Sequence, residues 1–349
     1  MNWKLWLGIV ISAIFLLLAL RKVDFHELGN ALQSAEYIYL LPASFLSILS
    51  LWIRAYRWHY LLEHIRPIKM SSLFSATMIG FMANNLFPAR FGEFVRAWAI
   101  GEKEGIRKSA SFATIVLERI LDGITVLLFL AIIVIFWRFP FPNWLKNAAY
   151  GSLGIYFFAL LFLIVLKGQT ERSIKLAQSV SRPLPDKVKS RFLRIMESFI
   201  EGLGILHSMK NIMIASFLSL FVWISPALSI YVLLISSNIH LPIFCAFLLM
   251  VILCLGVMIP SAPGYIGTVQ FLSVAGLGLF GIPKSDALSY SFLFHAVQFI
   301  PVTAIGLLYL FVEGFSFSQM RGSSKIVSYS NEGPSRKDDN HESEIKGGN

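Results

Sequence analysis

SFATIVLERILDGITVLLFL, residues 111–130, is the stretch that decides the fold. With the apolar residues that continue it to Trp137, it is long enough to cross a bilayer as a helix, which takes about 20 residues. Glu118, Arg119 and Asp122 interrupt it. Ionised side chains at membrane depth are expensive, so they pair or line a polar cavity. Glu118 and Asp122 are four residues apart and share a helix face, where two unpaired carboxylates would repel. A cation from elsewhere is therefore expected. Arg54 and Arg57 in an earlier apolar run are candidates, as are Arg90 and Arg96. Two roles stay open for these charges: lining a headgroup cavity, or holding the bundle together as structural ion pairs.

Outward from this stretch, further apolar runs predict spans near 4–20, 37–58, 148–166, 211–234, 241–259 and 286–312, beside the one at 112–137. Two shorter apolar stretches, 71–88 and 262–281, carry helix breakers and polar residues, and each reads as a broken or re-entrant segment. The fold class is an all-α integral membrane protein with about seven to eight transmembrane helices. The matching interruptions in the two halves suggest an inverted repeat.

Composition agrees. The chain is 56% hydrophobic and only 14% charged, against roughly 25% charged in soluble domains. The formal charge of +10 comes from 30 Lys and Arg against 20 Asp and Glu. These basic residues lie in short spacers between apolar runs, which argues for anionic lipid headgroups and against nucleic acid as partner. Cys245 and Cys254 sit in one apolar run, roughly 13 Å apart along a helix. That excludes a bridge between them, and no metal-ligand spacing accompanies them. No metal or cofactor is expected.

At the start, MNWK precedes the 16-residue run LWLGIVISAIFLLLAL, and Arg21-Lys22 follow. The run lacks a small-x-small cleavage site, so an uncleaved first span is expected. The spacer from Lys167 to Lys210 holds nine Lys and Arg against four acids. The bias of basic loops toward the cytoplasm places this spacer, the 59–111 region and the N-terminus on the cytoplasmic side of the membrane. Within it, 186–206 has Val188, Phe192, Ile195 and Phe199 at spacings of three and four. It reads either as an interfacial amphipathic helix or as a connecting helix packed on the bundle. Residues 1–315 form the membrane domain. The polar, Gly- and Ser-rich segment 316–349 is expected to be disordered.

Chemistry concentrates in the interrupted segments. In NNLFPARFGEFVRAWAI (84–100), Pro88 removes a backbone donor and Gly92 permits close approach. Arg90, Glu93 and Arg96 then recur every three residues. Guanidinium groups here suit a lipid phosphate, with snorkelling to an interface as the plainer reading. In the second half, Pro260, Pro263, Gly264 and Gly267 fall within eight residues and forbid a regular helix. The helix that restarts toward Gln270 is expected to aim free N–H groups at an anionic ligand. His295 and Gln298, three apart in the last span, share a face, with packing the plainer role for His295.

Together these stretches resemble the lysylphosphatidylglycerol synthase transmembrane-region family. The resemblance rests on NNLFPARFGEFVRAWAI, FATIVLERILDGITVLL (112–128), PSAPGYIGTVQFLSVAGLGLFGIP (260–283) and FIPVTAIGLLYL (299–310), in order, and covers about residues 5–313. It implies a flippase-like membrane region without the soluble synthase domain, and therefore no aminoacyltransferase activity. Arg90, Gly92, Glu93 and Arg96 match its first broken motif. Glu118, Arg119 and Asp122 match its V-x-E-R-x-x-D pattern, and Pro260, Pro263, Gly264 and Gly267 its second broken motif. Gln270 stands where many members carry Glu, which shifts the expectation from a cationic aminoacyl headgroup toward another lipid. The expected function is translocation of a phospholipid or lipid-linked headgroup. No nucleotide-binding motif is present, so the expected driving force is a lipid or ion gradient, or none. The expected partners are the lipid substrate and either a second copy of the chain or a lipid-synthesis protein. An intramembrane lipid-modifying transferase and a non-transporting scaffold or accessory subunit are the alternatives.

Overall fold

The computed structural model describes residues 3–21, 23–87, 91–136, 143–183, 185–257, 261–316 and 319. Pro88, Arg90, Pro260 and nearly all of the polar tail lie outside them. Among the described residues the chain is all-α. The helices are α1 (Trp3–Leu20), α2 (Phe25–Gln33), α3 (Leu40–Leu62), α4 (Met70–Leu86), α5 (Gly92–Glu104), α6 (Lys108–Phe136) and α7 (Asn143–Gly168). They continue with α8 (Thr170–Val180), α9 (Asp186–Gly202), α10 (Met209–Ser236), α11 (Ile243–Gly256), α12 (Thr268–Gly278) and α13 (Lys284–Val312). Tyr37–Leu62, Lys108–Phe136, Tyr150–Gly168, Met209–Ser236 and Lys284–Val312 are long and apolar enough to cross a membrane.

Polar contacts between helix ends define two faces. On the face carrying the basic 167–210 spacer, Asn211 donates to Glu63 at 2.7 Å and joins the end of α3 to the start of α10. Arg66 donates to the Glu104 carbonyl at 2.7 Å, and Arg107 pairs with Glu201 at 2.7 Å. Lys103 pairs with Glu313, which also accepts from Ser75 at 2.8 Å. On the opposite face, the Glu36 N–H donates to the Ser236 carbonyl at 2.8 Å, and Asn238 donates to the Ser34 carbonyl at 2.9 Å. Lys284 donates there to the Leu18 carbonyl at 2.9 Å.

These contacts make α4 and α5 a re-entrant hairpin. Its open end is on the basic face, where Arg66 meets Glu104, and α4 ends inside the protein, where Asn85 meets Thr303. Close packing is possible because Gly80 and Gly92 face each other. A Cβ on Gly92 would run into the Gly80 carbonyl oxygen and the Asn84 side chain. Asn84 Oδ1 accepts the Gly92 N–H at 2.7 Å and so satisfies an end-of-helix donor.

The second half contains the opposed element. The 241–259 run, expected to span, is the 14-residue α11, which stops at Gly256. The chain then turns back, with Gly264 at φ 72°, Tyr265 at φ 58° and Gly267 at φ 84°. From there α12 returns to the face on which α11 began. A helix of 14 residues rises only about 21 Å, short of a crossing. The 262–281 stretch is thus the outgoing half of this hairpin, not an element of its own. Because α13 then runs to the basic face, the chain beyond Glu313 leaves from that face.

The end of α4 and the turn at Gly264 meet inside the protein. The space a Gly264 side chain would take lies 3.6 Å from the Asn85 carbonyl oxygen of α4 and 3.1 Å from the Phe299 ring of α13. Asn85 also donates to Thr303 at 2.9 Å. Helix α1 braces this turn: Ser12 accepts the Ala262 N–H at 2.7 Å, and Phe15 stacks on Phe271 with centroids 4.8 Å apart. One apolar core gathers the distal half of α6 with α10 to α13, and a second gathers α3 to α5 with the proximal half of α6. Helix α7 packs on the second core through Leu163, and its other side presents apolar side chains such as Phe158, 67% exposed, as a lipid-facing surface requires. Helix α9 packs on the start of α6, where Gly202 abuts the Ala110 carbonyl. Cys245 and Cys254 form no disulfide.

Candidate functional site

Helix α6 begins at Lys108, so Glu118 stands roughly 15 Å along its axis, near half the depth of a bilayer. No part of Glu118 is exposed. Four arginines from three helices converge on its Oε1: Arg54 at 3.2 Å and Arg57 at 3.3 Å from α3, Arg96 at 2.8 Å from α5, and Arg119 at 2.7 Å from α6 itself. Asp122, one turn further on, pairs with Arg54, with Arg57 at 2.8 Å and with Arg119 at 3.5 Å. The cations that the two carboxylates require are therefore Arg54, Arg57, Arg96 and Arg119. Glu93, in the first turn of α5, lies 3.9 Å from Arg119.

Aromatic and hydroxyl groups complete the shell. The Arg96 guanidinium lies 3.9 Å from the centroid of the Trp58 ring, and Trp58 donates to Thr114 at 2.9 Å. Arg54 lies over Phe81 and Trp223 at 5.4 and 5.8 Å. Trp223 donates to Asp122 at 3.1 Å, and Arg57 donates to Ser219 at 2.6 Å. Such faces favour a weakly hydrated guanidinium over an ammonium. Sequence reading missed Trp58, Ser219 and Trp223, since a Trp or Ser in an apolar run carries no partner information.

Accessibility separates the four arginines. Arg54, Arg57 and Arg96 are buried, with Arg57 wholly enclosed. The Arg119 side chain is 30% exposed. Arg96, expected to meet a phosphate, is instead occupied by Glu118 and Trp58. Several polar atoms in the cluster make no hydrogen bond among the described residues, including Glu118 Oε2, Glu93 Oε2, Arg119 Nε and Nη2 of both Arg57 and Arg96. Four arginines face three carboxylates, so the cluster has unspent capacity for an anion.

The second broken motif has a different role from the one expected. The Gly267 N–H, foreseen as free for a ligand, donates at 2.7 Å to Oε1 of Gln270. Gln270 is thus a helix cap, the reciprocal half of a capping box. Its Nε2 sits 3.5 Å from Nδ1 of His295, so Gln270 and His295 tie α12 to α13. Gln298 faces elsewhere and donates to Ser47 at 2.9 Å. Ser47 in turn lies 3.2 Å from Ser229, which joins α3, α10 and α13. Pro263 opens the tight turn at Gly264. Among the described residues no group of three or more His, Cys, Asp or Glu is placed to hold a metal.

Comparison with known proteins places this architecture. A UPF0104 membrane protein of Methanocaldococcus jannaschii is 23% identical over 316 residues, 87% of this chain and 93% of its own. One of Methanothermobacter thermautotrophicus is 23% identical over 325 residues, 89% of this chain and 96% of its own. A third relative, glycosyltransferase AglD of Haloferax volcanii, is 27% identical over 120 residues, 34% of this chain and 19% of its own. No solved structure matches the chain. The lysylphosphatidylglycerol synthase TM region family matches residues 5–306, which take in both hairpins and the whole charged cluster. This chain belongs to that family.

Proposed function

We propose that the protein moves a phospholipid or lipid-linked headgroup between the leaflets of a prokaryotic plasma membrane. One observation carries this reading: a buried cluster of four arginines and three carboxylates, about 15 Å along α6, most open at Arg119 and Glu93 and flanked by the α4–α5 hairpin. Enclosing so many charges in a bilayer is costly unless they act on something polar there. A headgroup passing between leaflets is such a group, and a guanidinium matches its phosphate. Two hairpins that enter from opposite faces and meet inside the protein provide elements that can rock about a fixed mid-depth site. Basic residues gather on one face, which the charge bias assigns to the cytoplasm together with the N-terminus.

A second reading, chemistry on a lipid-linked group, draws on the partial likeness to glycosyltransferase AglD. It fits the geometry less well. Glu118 and Asp122 are each held by three or more arginines and are poor candidates for general acid or base.

The site is testable with a phospholipid carrying a photoreactive diazirine in its headgroup. Irradiation of reconstituted protein is expected to label α5 and α6 around Glu93 and Arg119, and Arg119→Ala is expected to remove that label. Labelling confined to the lipid-facing side of α7, unchanged in the variant, contradicts the site.

A further inference from the structure

The weakest link in the cluster is Glu93. Its 3.9 Å separation from Arg119 is the longest of the cluster's ion pairs, where Arg119 to Glu118 is 2.7 Å. Glu118 and Asp122 are each held by several arginines, whereas Glu93 has this single cation among the described residues. Its Oε2 is buried and makes no hydrogen bond among the described residues, and neither does Nε of Arg119. The two side chains are also the most open of the cluster, 16% and 30% exposed. A ligand arriving at the cluster therefore meets the Arg119–Glu93 pair before any other.

Charge balance indicates what that ligand is. Among the described residues, four guanidinium groups against three carboxylates leave one positive charge in excess. In a low-dielectric site an uncompensated charge is unfavourable, and a group bringing one negative charge restores neutrality. A phosphodiester headgroup with no amine brings that charge. A zwitterionic headgroup brings none and leaves the excess. When Arg119 is taken by phosphate, Glu93 still sits in the first turn of α5, where the helix N-terminus favours a carboxylate.

Building on the translocation site above, we propose that Glu93 is an internal counter-anion that yields Arg119 to the phosphate of a headgroup carrying one net negative charge. Glu93 would then set selectivity: headgroups unable to supply the missing charge fail to displace it.

The experiment is calorimetric titration of the purified full chain in detergent with three probes: short-chain phosphatidylglycerol, short-chain phosphatidylcholine and inorganic phosphate. Wild type is expected to bind the glycerol lipid in preference to the choline lipid. Glu93→Gln, nearly isosteric, is expected to bind the glycerol lipid about fivefold more tightly, the worth of one partly exposed ion pair. Arg119→Ala is expected to lose the binding. Unchanged or weaker binding by Glu93→Gln, with binding still lost in Arg119→Ala, overturns the role of Glu93 and leaves the translocation site standing. Binding untouched by either variant overturns the site itself. Inorganic phosphate binding as tightly as the glycerol lipid, with the same gain in Glu93→Gln, overturns the assignment to a lipid headgroup.

Discussion

Glu118→Ala is expected to lower the yield of monodisperse protein severely and to reduce its resistance to unfolding by about 3–5 kcal/mol, the usual range when one partner of a buried ion pair is removed. The upper end applies because Glu118 Oε1 accepts from Arg54, Arg96 and Arg119 and pairs with Arg57 at 3.3 Å. Without it, Asp122 and the distant Glu93 must balance four guanidinium groups packed around one point. Arg96 suffers most, since Glu118 is its only carboxylate partner among the described residues. Adding Arg96→Met to Glu118→Ala is therefore expected to recover part of the loss, a non-additivity that contacting residues show and distant ones do not. Thermal unfolding in detergent is the measurement. A Glu118→Ala protein as stable as wild type would mean that the convergence on Oε1 does not hold.

Gly267→Ala is the second large effect. Gly267 has φ 84°, a region that residues with a side chain rarely adopt, and a Cβ there would collide with the Ser12 carbonyl oxygen of α1. Backbone strain of this kind costs about 1–3 kcal/mol, and overpacking a similar amount. The obstacle is backbone, not a flexible side chain, so relief requires α1 to move off the α11–α12 tip. Loss of at least about 2 kcal/mol is expected, with faster hydrogen exchange at the Ser12–Ala262 contact. Gly278→Ala makes a control, because nothing lies within 4 Å of the position a Cβ would take there. Equal stability of Gly267→Ala and Gly278→Ala contradicts the tight docking of α1.

The contrast between these two sites shows what a single sequence carries. The charged cluster was legible in kind: carboxylates at 118 and 122 inside an apolar run demand cations, and Arg54, Arg57 and Arg96 were among the few arginines near enough along the chain. Its geometry was not legible. Spacing cannot reveal that four arginines choose one oxygen, nor that Trp58 stacks on Arg96, since those facts depend on how α3, α5 and α6 cross. The first hairpin was anticipated because basic residues on both sides of 71–88 place its ends on one face. The second was misread because 241–259 is apolar over enough length to span, and apolarity cannot separate a half-crossing buried in protein from a full crossing. Gln270 was misjudged for a related reason. A polar group at the third helical position either reaches outward to a ligand or back to its own N-cap, and only the fold decides that it takes the Gly267 N–H.

The central claim is that this cluster carries headgroups across the bilayer, and exchange between leaflets measures that directly. Purified protein is reconstituted into liposomes containing fluorescent phospholipids that differ in headgroup, and a membrane-impermeant reductant destroys the label it can reach. Wild type is expected to expose the inner-leaflet label of an anionic phospholipid, and Arg119→Ala, equally folded, to leave it protected as in protein-free liposomes. If folded wild type exposes none of the lipids, or if Arg119→Ala exposes them as fast as wild type, the cluster is not a translocation site.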